Sequence, residues 1–457
     1  MHGAALALVV VLGLPAPTAD PASLVGQLGS SRFAQREAAE AALTKLGRAA
    51  LPALKGARGD KDPEVRSRAS AILRRIEQTL LEQPTPVGLD FREVRLSDAV
   101  ATINRKTGLA LAASSDGEAD WAGRRLTLVE GQPLPFWKAM DALCRAADAH
   151  YVLGGQPTLG SGDSTFPLYE GYAPPPEPVA DSGPFRVHLA SLHYQSEIRL
   201  DRPRRGPVAR GGVAPSPDES ARVGDSPARQ FYLQLLVAAE PHLSITQNGA
   251  VRLSEAVDDR GRSLVVPPDR AAVQQSWGYY GVNPSPLVRL RVDLVRPDDP
   301  GRRIARIKGV IPVVVATRRP ESLEIPLDKA SSRPFRDDQV ALAVLARRPA
   351  RDGQPATIEV ALRVAEGAWQ PPAAEDNDAM PYRPESPQQQ LEILDASRRP
   401  LAWFPSATSY SADETRLTLT LLPRGDGTPA DPATLRYHGL IRGVAEIPFE
   451  FLDLPMP

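Results

Sequence analysis

Residues 91–112 read FREVRLSDAVATINRKTGLALA, and their reading decides the architecture of the first half of the chain. Phe91, Val94 and Leu96 form an apolar run, and Val100 and Ile103 follow at helical spacing. Gly108 ends that helix, and Leu109 and Leu111 begin a second alternation. The pattern is strand, helix, turn, strand, with Ser97 expected as the helix cap. A phosphate-binding turn at this place would need glycine between strand and helix. The turn is Glu93-Val94-Arg95-Leu96-Ser97, without glycine, so the stretch predicts a docking module and not a nucleotide site.

Working outward, a second copy of the theme follows. Leu126 and Leu128 alternate, a helix from about Pro135 carries Phe136, Met140, Leu143 and Ala147, and Tyr151 and Leu153 close it. The order β-α-β-β-α-β over residues 84–154 predicts a small two-layer domain. The pieces LDFREVRLSDAVATINRKTGLAL (89–111) and RRLTLVEGQPLPFWKAMDALCRAADAHYVL (124–153) resemble the short N-terminal (STN) domain of secretins and of TonB-dependent transducers. That resemblance implies binding to other proteins at the cell envelope and no catalysis. The continuation into a secretin pore is missing, so channel function is not implied. Cys144, the single cysteine, sits in the second helical pattern and reads as a small buried hydrophobe.

Upstream, residues 20–83 read as a helical unit. Phe33, Ala38, Ala41, Ala42 and Leu46 recur at helical spacing and Gly47 stops the run. Asp62 is placed as N-cap and Pro63 as the first helical residue, ahead of a stripe of Val65, Ala69, Ile72, Leu73, Ile76 and Leu80. The segments REAAEAALTKLGRAALPAL (36–54) and DPEVRSRASAIL (62–73) resemble HEAT repeats. The resemblance implies structural roles for Asp62 and Arg66 in tying neighbouring repeats. About one and a half repeats are present, too few for a free solenoid. A plain helical bundle is the alternative. Residues 1–19 carry AALALVVVLGL (4–14) followed by Pro15-Ala16-Pro17-Thr18-Ala19. This fits a signal peptide cut near Ala19, and predicts export to the periplasm or outside with no membrane span in the mature chain.

Downstream, residues 155–183 read as a Pro/Gly-rich linker. Period-two strands then dominate, as in Val288-Leu290-Val292-Leu294 and Ile358-Val360-Leu362-Val364. They predict a mainly antiparallel β-sandwich region in two parts. One is 184–286, with an insert at about 203–228; the other is 287–457, with a Pro-rich loop at about 370–387. An internal echo, EAVDDRGRSLV (255–265) against EILDASRRPLA (392–402), supports two related units. This region resembles uncharacterised secreted proteins of planctomycete-type bacteria, a resemblance that implies no activity. The expected fold class is thus multidomain α+β: a HEAT-like helical unit, an STN-like domain, then β-sandwiches.

Lys and Arg number 54 against 55 Asp and Glu, so no global field recruits nucleic acid. His188 and His193 are five apart, on opposite faces of a strand, and read as surface or core histidines and not metal ligands. Asp376-Asn377-Asp378 lacks the glycine and the spaced Glu of a calcium loop. No catalytic, cofactor or metal residue is predicted. The expected function is a non-enzymatic exported adaptor binding other envelope proteins. A carbohydrate- or envelope-polymer-binding role is the alternative, resting on Trp277, Tyr279 and Tyr280 as ligand-contact aromatics. A hydrolase with an unrecognised carboxylate pair is the third reading.

Overall fold

The computed structural model describes residues 20–109, 111–113, 121–152, 166–173, 178–197, 228–267, 286–329, 334–336, 340–351, 353–364, 390–411, 414–424 and 427–457. The expected signal peptide, most of the insert at 203–228, the Pro-rich loop at 370–387 and Asp376–Asp378 lie outside these residues. The chain is mixed α and β, mainly antiparallel strand, and divides after Leu80 into two compact units.

The first unit holds α1 (Pro21–Gln27), α2 (Phe33–Leu46), α3 (Leu51–Gly56) and most of α4 (Pro63–Glu82). Asp20 caps α1 by accepting from the N–H groups of Ala22 and Ser23. Asp62 caps α4, accepting from the Glu64 N–H at 2.9 Å. The expected stripe of α4 is buried at Val65, Ala69, Ile72, Leu73 and Ile76. On α2 the expected face is rotated: Ala39 and Leu43 are buried, whereas Phe33 is 64% exposed. Phe33 sits in the first turn, where its ring lies beside the Arg36 guanidinium and not in the core.

The second unit opens with the α/β module. Its elements are β1 (Pro86–Val87), β2 (Asp90–Arg95), α5 (Leu96–Thr107), β3 (Leu111–Ala113), β4 (Arg125–Val129), β5 (Leu134–Pro135), α6 (Phe136–Ala147), β6 (Ala149–Tyr151) and β7 (Phe166–Glu170). α5 buries Leu96, Ala99, Val100 and Ile103, one helical face, and ends on Gly108 in the left-handed region at φ 72°. Ser97 is exposed and is not the cap: the helix starts two residues earlier than that cap would set it, at Leu96, with Arg95 at the cap position. Strands β1 and β5 pair, β2 and β4 pair, and β7 inserts between β3 and β6, parallel to β3 and antiparallel to β6. Residues 155–183, expected as a linker, therefore contribute β7 to the module and β8 (Val179–Ser182) to the next sheet.

The rest of the unit is strand. It comprises β9 (Phe185–Glu197), β10 (Ala228–Ala239), β11 (Leu243–Asn248), β12 (Arg252–Asp258), β13 (Leu287–Asp293), β14 (Arg303–Pro326), β15 (Phe335–Arg336), β16 (Val340–Arg348), β17 (Thr357–Val364), β18 (Leu391–Leu394), β19 (Pro400–Leu401), β20 (Trp403–Tyr410), β21 (Thr415–Leu421) and β22 (Thr434–Pro455). They make three sheets, in the orders β13-β10-β9-β8, β11-β14-β22-β18-β19 with β12 also on β14, and β15-β16-β17-β21-β20. The long strands β14 and β22 pair along their length, from Arg303↔Pro455 to Pro326↔Thr434. The sheets cross the boundary expected at 286/287, because β13 pairs with β10 and β14 with β11 and β12.

The echo noticed in sequence is an internal duplication of structure. Asp258 Oδ1 accepts from the N–H groups of Arg260 and Arg262; Asp395 Oδ1 accepts from those of Ser397 and Arg399. Each Asp N–H donates to the carbonyl four residues on, and the residue three on donates back to the Asp carbonyl. That third residue has positive φ in both copies, Gly261 at 76° and Arg398 at 61°. The resemblance extends to a bulge. Leu189 and Ser191 pair with Leu235 and Gln234, leaving Ala190 out; Val344 and Ala346 pair with Val360 and Glu359, leaving Leu345 out. Strands β9, β10, β12, β13 and β14 thus correspond to β16, β17, β18, β21 and β22. In the second copy Leu342, Ile358, Val360 and Leu419 of one sheet share a core with Leu391, Ile393, Leu435 and Tyr437 of the other.

Candidate functional site

A dense group of ionisable side chains lies where the α/β module meets the sheet of β8 to β10. Two elements of the module supply it: α6, with Trp137, Lys138 and Asp141 on successive turns, and β6, with Tyr151. The hairpin of β8 and β9 supplies Asp181 and Arg186. It turns through Gly183 at φ 55°, and the Trp137 Nε1–H donates to the Pro184 carbonyl at 3.2 Å.

Arg186 is fully buried, and each of its five N–H donors has an acceptor. Nη1 and Nη2 donate to Asp141 at 2.7 and 2.8 Å, a bidentate fork. Nε and Nη2 donate to Asp181 at 2.6 and 2.9 Å, and Nη1 also donates to the Tyr151 hydroxyl. Tyr151 donates to Asp141 at 2.8 Å, Lys138 reaches Asp181 at 3.1 Å, and the guanidinium carbon stands 5.2 Å from the Trp137 ring centroid. Burial alone would push the Asp181 carboxyl up; the bonds from Arg186 and Lys138 reverse this and hold it below its ordinary value. Burial likewise opposes the Arg186 charge, and the two carboxylates raise its pKa in spite of it. Burial pushes the Tyr151 phenol well up, and the Cys144 thiol up to about 12.

The chemistry of this arrangement follows from its saturation. A guanidinium with every N–H engaged has nothing left to offer an anionic substrate. Neither the phenol nor the thiol ionises near neutral pH, so neither is a nucleophile or a base there. The cluster holds the module on the sheet.

Beyond the module the same outer face of β9, β10 and β13 is open. Tyr232 is sandwiched between His193, stacked at 4.8 Å, and Arg291 at 3.9 Å, so both ring faces are taken. The Ser191 hydroxyl lies 2.6 Å from His193 Nε2 and donates to Gln234 at 3.2 Å. No carboxylate orients the other His193 nitrogen among the described residues, as a serine nucleophile would need. His188 and His193 lie on one face, not on opposite faces, because the bulged Ala190 between them shifts the alternation. Their partners Leu236 and Tyr232 are four residues apart on β10, so the imidazoles are too far apart to share a metal.

Trp277, Tyr279 and Tyr280 lie outside the described residues. Arg66 Nη1 donates to the Asp60 and Lys61 carbonyls at 2.7 and 3.0 Å, and Asp62 lies against Gly29, where a Cβ would stand 3.0 Å from its Oδ2. Ion pairs between α4 and α2 are made by Arg68, bonded to Glu37 at 3.0 Å and Glu40 at 3.2 Å, and by Arg75, bonded to Glu40 at 3.1 Å. At the start of α5 the Leu96 N–H donates to the Arg124 carbonyl at 2.9 Å, so the first helical turn is partly engaged. Among the described residues no three His, Cys, Asp or Glu side chains converge to hold a metal ion. Arg186 escapes a sequence reading because, in the alternation of Phe185, Val187 and Leu189, it falls on the face read as solvent. The one signal was α6, which sets Trp137 and Asp141 four apart on one side. No family model, curated protein or solved structure matches the chain.

Proposed function

We propose that the chain is an exported, non-enzymatic adaptor that binds other proteins at the cell envelope. In this reading the chain carries a HEAT-like helical unit, and an STN-like module is displayed on a duplicated pair of β-sandwiches. The observation that carries it is the saturated Arg186 cluster: a fully buried guanidinium of the neighbouring sheet fixes the position of the α/β module and has no donor left for a substrate. A module held this way presents one invariant outer surface, which suits recognition. Among the described residues no helix is long and apolar enough to cross a membrane, which accords with a chain that works at the envelope without spanning it by helices. The stacked Tyr232 offers no free ring face, which speaks against sugar stacking at that place.

The test is capture with cross-linking from an envelope extract, using the chain from Asp20 as bait, beside co-sedimentation with insoluble envelope polymer. A defined set of envelope proteins, with no polymer pelleting, is the expected result. Pelleting with polymer and no protein capture would contradict the adaptor. Export has its own check: the native protein should begin near Asp20, and an intact Met1 in the cytosolic fraction would contradict it.

A further inference from the structure

Glu240, at the end of β10, is fully buried. Its two carboxyl oxygens accept from the Thr85 backbone N–H at 3.0 and 3.2 Å, and His242 Nδ1 stands 3.5 Å from Oε2. The Glu240 backbone N–H donates to the Pro184 carbonyl at 3.0 Å. Thr85 immediately precedes β1, so it is the last residue before the α/β module. Nearby, the Glu82 carbonyl lies so close to Gly183 that a Cβ there would stand 2.5 Å from it. Residues 82–85, the turn of β8 and β9, and the turn after β10 therefore meet around one carboxyl group.

Charged groups come near it from several elements. From its own turn comes His242, whose side chain is mostly buried, and β14 places Arg318 across the ladder from it, next to Thr317, the partner of Leu243. Residues 82–85 contribute Glu82, which is exposed. The β8–β9 hairpin brings Asp181 and Arg186, and α6 brings Lys138 and Asp141; all four are bound up in the cluster described above. A carboxylate accepts about four hydrogen bonds in water; here the Thr85 backbone and side chain bond to it and one imidazole is in reach. Burial pushes the Glu240 carboxyl up to about 7.

We propose that Glu240 is a pH-sensitive latch on residues 83–85, closed while its buried carboxyl keeps its proton and loosened when that proton leaves. With the proton on, the carboxyl is neutral and sits in its niche beside Thr85 and His242. Without it, a carboxylate remains in a dry niche and local opening is favoured, because opening hydrates it. The closed state keeps its proton to higher pH than the opened state does. Closure is therefore strongest below the ordinary glutamate pKa, weakens as pH rises from there, and has lost this contribution just above about 7.

Hydrogen exchange on the full chain reads this directly at the Thr85 amide. Corrected for intrinsic exchange, its protection should fall about tenfold or more between pH 6 and pH 8.5. The amides of Leu233 and Leu235, in the middle of β10, should hold theirs. In Glu240→Gln, which keeps an acceptor for Thr85 but cannot ionise, Thr85 protection should be flat with pH. A flat profile in the wild type, or a persistent fall in Glu240→Gln, overturns the latch. Should the variant not fold, the upper end of the wild-type fall decides. A fall that continues above about pH 6 and levels off near pH 7 to 8 supports the latch, and one complete within the ordinary carboxylate range contradicts it.

Discussion

Ile103 is buried beneath α5, while Arg105 and Lys106, two and three residues on, stand in water. Truncating Ile103 to Ala should cost about 2–5 kcal/mol, and replacing Arg105 or Lys106 with Ala less than roughly 0.5 kcal/mol. Urea unfolding of the three variants checks both figures. A titratable case lies at Glu392, which His438 approaches at 3.3 Å and Arg436 at 2.8 Å. These contacts hold its carboxyl down at about 2, against the opposing effect of burial. The stabilisation is complete above the ordinary glutamate pKa and is lost as pH falls from there toward 2. Glu392→Gln should therefore unfold at lower urea than the wild type at pH 6, and the gap should narrow by pH 3. Apolar residues of this kind are legible in sequence because periodicity marks them. Arg186 is not: a strand charge is read as solvent-facing, and only the arrival of α6 turns that face inward.

Helices α4, α5 and α6 are legible because each carries an apolar stripe of helical period and a stop or start signal. Strand parity is less secure. One bulged residue, Ala190, moved His193 to the face of His188, and no local signal in the sequence marks a bulge. The two Asp turns show how much geometry an echo of a few residues can carry. Asp258 also accepts from the Gly301 N–H at 2.8 Å, and Asp395 from Arg424 Nη2 at 2.7 Å, so each turn is stitched to the loop that precedes the long strand of its copy, β14 or β22. Asp258→Ala and Asp395→Ala should lower the urea midpoint by similar amounts; a loss in one and none in the other would contradict the equivalence. Glycine turns differ in what they resist. Gly183 has φ 55° and the Glu82 carbonyl against it, whereas Gly108, at φ 72°, has open space around it. Gly183→Ala should cost about 2–3 kcal/mol and Gly108→Ala about 1 kcal/mol, measured in the same way.

At the scale of the molecule, the helical unit, the α/β module and the strand-rich remainder follow the order that the sequence pattern predicts. The partition of the strands does not, because sheet partners are distant in sequence and local pattern is blind to them. Residues 184–286 look self-sufficient as a row of strands, yet β10 needs β13, and β11 and β12 need β14. That fragment, expressed alone, should show no cooperative melt, whereas residues 81–457 should melt cooperatively. A cooperative transition in the fragment would contradict the shared sheet.

The fixed seat of the α/β module on its sheet rests on Arg186, and one measurement tests it most directly: urea unfolding of Arg186→Met, followed by tryptophan fluorescence. Methionine fills the space but leaves Asp141, Asp181 and Tyr151 without their shared donor. The expected result is a loss of about 3 kcal/mol, the low end for breaking a buried ion pair, because Asp141 and Asp181 keep some contact with water and Asp181 keeps Lys138. Arg186→Lys should lose much of the same, since an ammonium cannot fork to two carboxylates. An unchanged or raised midpoint in Arg186→Met would contradict the lock and mark the cluster as a site kept for binding at the expense of stability.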